Sequence, residues 1–280
     1  MGDFLSWLPW AVPLGLLMGV VVTAFMQPRV ARKFRETIAQ HPAPSGPGVP
    51  RVTEDLIAHV PPLVQEWIRR SGSLENWVVT GSYSRATVRM RTAADKKWRP
   101  SEVEMVHHFW PRYSAWQLMH TRLGPLPLTH MTSLTTEGGN VLATLNSAPV
   151  TGARRQTLAE MLVASNLASA WTDSPASLAM LPIQWGVTGE RSVASTLTIG
   201  ATTVRVDAAF DQTGDLAELQ LTMPDFRTPD GIPTRFEVTG FEEVGRGRRV
   251  ASAGNVYQLQ GREWVHVQEV ELHGLEVYPG

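Results

Sequence analysis

The chain has 280 residues, a net charge of −1 and only 18% charged side chains, which excludes the strong basic footprint of a general nucleic-acid binder. It contains no cysteine, so no disulfide framework supports it, a composition that suits either side of a membrane. No repeat of fixed period runs through it, which removes solenoids and propellers from consideration.

Phe4 to Met26 carries no charged side chain. At about 1.5 Å per residue this stretch makes a helix of about 34 Å, enough for a bilayer core of roughly 30 Å. A cleavable leader wants cations ahead of its apolar run, whereas only Asp3 stands there. Val22-Thr23-Ala24 is a weak cleavage match, and a single uncleaved span is the better reading. Pro9 and Pro13 are tolerable if the helix begins near Trp10, which leaves Trp7 and Trp10 at one membrane interface. Arg29, Arg32, Lys33 and Arg35 mark the other. With the flanking cations all after the span, the N-terminus is expected outside and the bulk of the chain in the cytoplasm, at a bacterial cytoplasmic (inner) membrane.

Within the span, Ala11, Gly15, Gly19 and Thr23 recur every four residues and form one stripe of small side chains. The G-x-x-x-G from Gly15 to Gly19 lets membrane helices approach closely. Expected partners are therefore membrane lipid and the transmembrane helices of other membrane proteins. The plain alternative is that small residues are common in any membrane helix.

His41 to Pro50 holds Pro42, Pro44, Pro47 and Pro50 with interspersed glycine, which sustains neither a helix nor a central strand and reads as an extended spacer. The chain then divides into an anchor at 1–28, a basic exit and linker at 29–52, and a β-rich domain at 53–280. Thr53 suits a helix N-cap; Pro61-Pro62 interrupts, and Leu63, Val64, Trp67 and Ile68 mark an amphipathic helix ending near Gly72. Helices are thus expected near 53–70 and again near 153–171, where Leu158, Met161, Leu162, Ser165 and Leu167 approach helical spacing.

Elsewhere the period is two. Val103, Met105, His107 and Phe109 alternate with Glu102, Glu104, Val106 and His108. Val204, Val206, Ala208 and Phe210 alternate with Thr203, Arg205 and Asp207, and Leu219, Leu221 and Met223 continue after a turn at 212–215. Turn signals at Gly138-Gly139 and Asp230-Gly231, and the pairs Phe236/Val238 and Val265/Val267, extend the series. The expected fold is mainly β: one N-terminal transmembrane helix, then a large curved antiparallel sheet, half-barrel-like, with two or three helices.

Catalytic signals are sparse. His107 and His108 lie on opposite faces of one strand and cannot share a metal. His107, His120 and His130 would have to converge across strands, and satisfied or surface histidines are the commoner outcome. Asp207 and Asp211 close a strand, where a turn role suits Asp211. The sequence has no G-x-S-x-G, P-loop or H-E-x-x-H pattern, and Gly245-Arg-Gly-Arg-Arg249 reads as a basic loop. No catalytic residue, metal or cofactor is expected, so the chain reads as non-enzymatic. Of ten tryptophans, the eight beyond the span (67, 77, 98, 110, 116, 171, 185 and 264) divide between core packing and an apolar pocket or contact surface.

Val60-Pro61-Pro62-Leu63-Val64-Gln65, the Leu158-Ala159-Glu160 helix ending in Ala170-Trp171, Gln184-Trp185, Thr196-Leu197-Thr198, Phe210-Asp211 and Ile232-Pro233-Thr234-Arg235 resemble an uncharacterised bacterial family of membrane-anchored β-rich proteins. The resemblance implies a curved sheet similar to the LolA/LolB lipoprotein carriers, in which a half-barrel holds acyl chains under helices. Trp171 is followed here by Thr172-Asp173-Ser174-Pro175 where an aromatic-proline pair is expected, a departure at that corner. Two functions follow. One is a scaffold subunit of a larger membrane complex, similar only in layout to the H subunit of photosynthetic reaction centres. The other is a membrane-anchored carrier of lipid or another apolar ligand.

The flanking charges generate a direct test of topology. A reporter active only outside the cytoplasm, fused at Gly280, is expected to stay silent; strong activity overturns the orientation.

Overall fold

The computed structural model describes residues 31–39, 49–109, 113–123, 126–136, 138–145, 148–150, 155–224, 228 and 230–279. The apolar segment with Trp7, Trp10 and the Ala11, Gly15, Gly19, Thr23 stripe, together with Arg29 and most of the linker, lies outside them. Among the described residues, no helix is long and apolar enough to cross a membrane.

Among the described residues three helices precede the sheet: α1 over 31–39, α2 (Glu54–Ile57) and α3 (Pro62–Arg70). Thr53 caps α2, its Oγ1 accepting from Leu56 N at 3.3 Å. Proline occupies the first turn of α3, where its missing amide hydrogen costs nothing. Helix α1 departs from the expected basic exit and linker. The reason is Phe34, only 1% exposed, which packs with Val106, Trp116, Leu118 and Met131 while Ala31 and Ile38 flank it. One apolar stripe on about two and a half turns is enough when a sheet face receives it.

Six strands run outward in chain order: β1 (Val79–Met90), β2 (Arg99–His108), β3 (Ser114–Leu123), β4 (Leu126–Thr135), β5 (Gly138–Leu145) and β6 (Ala148–Val150). Gly138 and Gly139 thus begin a strand and pair with Thr135 and Leu134, rather than forming the turn their composition suggests. Helix α4 (Arg155–Thr172) and a 3-10 turn at Pro175–Ala179 then carry the chain to the opposite edge. From there β7 (Ile183–Gly189), β8 (Ser192–Ile199), β9 (Thr202–Phe210), β10 (Leu216–Met223), β11 (Ile232–Val244), β12 (Arg248–Gln260) and β13 (Glu263–Pro279) run back inward. The last strand pairs with the first, and the described residues make one open antiparallel sheet of 13 strands.

The sheet curves around α4, which contacts β2 to β5 in one half and β8 to β10 in the other. Leu158 and Leu162 pack on Ala115 and Leu134. Val163, Ala164, Leu167, Ala170 and Trp171 join the main core with Val193, Leu197, Val206 and Phe210. A helix apolar on two sides must be buried on both, which explains why its spacing fits a one-sided amphipathic pattern poorly. At the far side of this core, α3 is clamped electrostatically: Arg70 Nε and Arg249 Nη1 donate to Asp215 Oδ1 at 2.8 and 2.7 Å. Burial alone would raise the Asp215 carboxyl, but those two guanidinium groups outweigh it and hold its pKa below the usual value.

Trp171 joins the layers. Trp67 Nε1 on α3 donates to Trp171 O at 3.2 Å, and Trp171 Nε1 donates to Ser195 Oγ on β8 at 3.1 Å. Ser195 Oγ in turn donates to Val206 O on β9 at 3.0 Å. Trp185 and Phe210 meet the Trp171 indole edge-on, each with centroids 6.0 Å away. Trp171→Ala is expected to lower unfolding stability by about 3–5 kcal/mol, measured by denaturant titration of the full chain. A loss below 1 kcal/mol would show that the layers hold without it.

Candidate functional site

Strand alternation sorts the side chains of β1 to β4 into two faces. On the convex side stand Tyr83, Arg85, Thr87 and Arg89, opposite Val106, Glu104, Glu102 and Pro100, and α1 covers part of this side. On the concave side the register builds transverse rows. The first runs Ser82, His107, Ala115, Leu134. The next runs Ser84, Met105, Gln117, Thr132; then Ala86, Val103, Met119, His130; then Val88, Ser101, Thr121, Leu128. Strand β13 extends these rows with Val277, Leu275, Leu272 and Val270.

Helix α4 lies along the first row. Ser165 Oγ is 2.8 Å from His107 Nε2, and Ser169 Oγ lies 3.2 Å from His107 Nδ1. Asp173, just past the helix, takes a hydrogen bond from Thr172 Oγ1 at 2.8 Å and a long one from Ser82 Oγ at 3.5 Å. Burial pushes the Asp173 carboxyl up to about 6, against the pull of the hydroxyls of Thr172, Ser82 and Ser169. Burial, with His108 adding to it, pushes the His107 imidazole down to about 4. Both groups therefore prefer their neutral forms. The pair acts as a polar latch between helix and sheet.

Beyond the latch the concave surface mixes apolar side chains with Ser84, Gln117, Thr132, His130, Ser101 and Thr121. Ala86, Val88 and Val103 form a cluster separate from the helical core, with half-buried Met90, Met105, Met119, Val270 and Leu272 around it. These half-buried side chains form an apolar strip on the concave face, here called the trough. Methionine suits such a surface because its unbranched thioether chain adapts to irregular partners. Three hydroxyl oxygens point onto the same concave face without a hydrogen-bond partner: Ser84 Oγ, Ser101 Oγ and Thr132 Oγ1. Their residues are only 1%, 2% and 3% exposed.

The histidines considered from sequence do not converge. His107 and His130 share the concave face but stand in different rows, whereas His120 lies on the convex side, its Nδ1 3.2 Å from Thr129 Oγ1. No group of three or more potential metal ligands occurs among the described residues. Asp211 organises the turn before β10, its Oδ1 accepting from Thr213 N and Asp215 N at 2.8 and 3.0 Å. Trp67, Trp116 and Trp171 are core residues, while Trp77 and Trp264 remain 38% exposed. Arg32, Lys33 and Arg35 stand exposed on α1, directed away from buried Phe34.

Several trough residues escaped sequence reasoning. β1 shows its pattern only in size: Ser82, Ser84 and Ala86 alternate with Tyr83, Arg85 and Thr87. A hydrophobicity alternation misses a concave face built from small polar residues.

An open antiparallel sheet curled around one crossing helix, capped by short helices and leaving an apolar trough, defines the class of this protein. The chain belongs to the family of unknown function DUF6544, whose profile matches residues 50–268. No curated protein matches it in sequence. Among solved structures it is similar to a domain assigned to outer membrane lipoprotein sorting from Vibrio parahaemolyticus, at 9% identity and TM-score 0.45, covering 78% of this chain and 92% of that one. A LolA superfamily protein from Nitrosomonas europaea gives 9% identity and TM-score 0.39, with 78% and 94% covered. A DUF1329 family protein from Desulfovibrio piger gives 9% and 0.38, with 77% and 91% covered. The resemblance read from the sequence, to an uncharacterised bacterial family, agrees with the family match.

The latch has a pH signature. Because the folded pKa of Asp173, about 6, lies above its usual 3.8, its contribution to stability is full at acid pH and is lost as pH rises through about 6. His107, held near 4 against a usual 6.5, works the other way: its contribution is full above 6.5 and is lost as pH falls through 4. Asp173→Asn removes only the first effect. Its melting temperature is expected to exceed wild type by a margin that grows from pH 4 to pH 7, and a flat margin would overturn the assignment.

Proposed function

We propose that this protein is a non-enzymatic, membrane-tethered binder of an apolar ligand, with lipid acyl chain as the class that fits best. One observation carries the reading: the cluster of Ala86, Val88, Met90, Val103, Met105, Met119, Val270 and Leu272 lines the concave face outside the helical core. Core side chains in such a sheet normally gain their stabilisation by full burial, worth about 25 cal/mol per Å² of apolar area. Here five of the eight remain half-buried, and an acyl chain lying in the trough completes that burial. A concave, mostly apolar surface with a few polar groups is the usual form of a small-molecule site.

The tether is the apolar segment Phe4 to Met26, and the exposed cations of α1 favour a negatively charged membrane surface beside the domain. The scaffold reading rests on the small-residue stripe, which lies outside the described residues, whereas the carrier reading has a surface of its own. The carrier reading therefore comes first.

A photoactivatable test separates the trough from the tether. The full chain is mixed with vesicles containing phosphatidylcholine that bears a diazirine on one acyl chain, then irradiated and digested. Adducts are expected on peptides containing Met90, Met105 and Met119, and Met105→Lys is expected to reduce them at least tenfold while leaving adducts at residues 4–26 unchanged. Adducts confined to residues 4–26 would overturn the proposal.

A further inference from the structure

We propose that the convex face carries a second binding site, a cavity between Trp264 and the Arg205–Asp207 pair that takes the ring of a neutral sugar. The site lies on the opposite face of the sheet from the trough and does not depend on the carrier reading. Its volume is about 220 Å³, and its lining includes Arg205, Asp207, Gln220, Thr222, Pro233 and Trp264. That is below the roughly 300–1,000 Å³ of a drug-sized pocket, and it suits a single ring.

Strand register builds the cavity. Asp207, Gln220, Arg235, Tyr257 and His266 stand opposite one another in a transverse row from β9 to β13. Thr222 pairs with Pro233 in the next row, and Trp264 opposes Leu259 near the β12–β13 turn. The Trp264 residue is 38% exposed, yet its indole is held in place. The Arg235 guanidinium carbon lies 5.2 Å from the Trp264 ring centroid and 4.7 Å from that of Tyr257. Arg235 Nη2 is itself paired with Glu237 Oε1 at 3.0 Å. A large aromatic side chain fixed by its neighbours and left open on one side is a typical anchor for a ligand or partner.

The facing wall is polar, and its hydrogen-bonding capacity is only partly used. Arg205 Nε and Nη2 donate to the Asp207 carboxylate at 2.7–3.2 Å, which leaves Arg205 Nη1 to donate and Asp207 Oδ2 to accept. Gln220 Nε2 donates to Glu218 Oε1 at 2.6 Å, which leaves the Gln220 carbonyl oxygen to accept. Donor and acceptors beside an aromatic face match the chemistry of a sugar. Each hydroxyl both donates and accepts, and the C–H bonds on one face of a pyranose meet the electron-rich face of an indole.

The surrounding charges argue against other ligand classes. Arg205 and Arg235 stand among three carboxylates, those of Asp207, Glu218 and Glu237, so a phosphate or other anion finds its counterions already taken. A cation stacked on Trp264 meets the Arg235 charge beside it. An apolar ligand would strip water from Arg205, Asp207 and Gln220 without replacing its hydrogen bonds.

The test uses the full chain in a detergent without a sugar headgroup, with cellobiose and maltose as probes and glucose 6-phosphate as the anionic control. Saturation-transfer NMR is expected to show transfer to the ring protons of at least one disaccharide, with a Kd on the order of 1 mM. Glucose 6-phosphate is expected to bind at least tenfold more weakly. Trp264→Ala and Asp207→Ala are each expected to weaken disaccharide binding at least tenfold, whereas Trp264→Phe, which keeps an aromatic face, stays within about threefold of the unaltered chain. Both side chains are partly exposed, so melting temperatures are expected to hold; should Trp264→Ala fail to fold, Asp207→Ala decides the question. No transfer to either disaccharide at about 20 mM overturns the proposal. Glucose 6-phosphate binding as tightly as the disaccharides overturns it too, as does disaccharide binding that survives unchanged in the folded alanine variants.

Discussion

The architecture depends on one constraint: α4 must satisfy two walls at once. A helix lying inside a curved sheet has little solvent face, and Asn166, 0% exposed, folds its amide back onto Leu162 O at 3.1 Å. Trp171 resolves the demand at the C-terminal end, because a large indole fills space against β8 and β9 while its N–H finds Ser195. Trp67 reaches the Trp171 carbonyl from α3, so the capping helices, the crossing helix and the C-terminal half of the sheet are joined through one residue.

The N-terminal half of the sheet meets α4 differently. Its contact surface carries leucine on Ala115 and Leu134, then serines on His107 and the carboxyl of Asp173 near Ser82. Polar contacts contribute little net free energy and are sensitive to protonation, whereas the Trp171 side is apolar and insensitive to it. The helix is thus held firmly to one half and more loosely to the other. The trough lies on the looser side, among half-buried methionines and hydroxyls without hydrogen-bond partners.

Much of the fold was legible because hydrophobic alternation marks β2, β9 and β10 as strands, and in β9 it coincides with the buried pattern. Val103, Met105 and His107 share a face, as do Val204, Val206, Ala208 and Phe210, and Thr53 caps its helix. Legibility failed where side-chain size rather than polarity carried the information. Ser82, Ser84 and Ala86 line the concave face of β1, yet serine reads as polar in any hydrophobicity pattern. Helix α1 escaped because its single anchoring residue, Phe34, acquires meaning only once a convex face exists to receive it. The trough itself is non-local: Met90, Met105, Met119 and Leu272 come from four strands, and no spacing in the chain predicts their meeting.

The order of strands also dictates a timetable. Thr80 Oγ1 on β1 donates to Tyr278 O on β13, a contact spanning 198 positions, and the two strands pair along most of their length. A ribosome adding about 5–20 residues per second needs roughly 10–40 s to make the intervening chain. Through that interval one side of β1 is an open hydrogen-bonding edge in the middle of the future sheet. That edge is uncharged at Ser82 and Ser84 and carries arginine at positions 85 and 89, and edge cations discourage pairing with the wrong strand. The nascent chain thus bears its own guard against aggregation at the strand that waits longest for its partner.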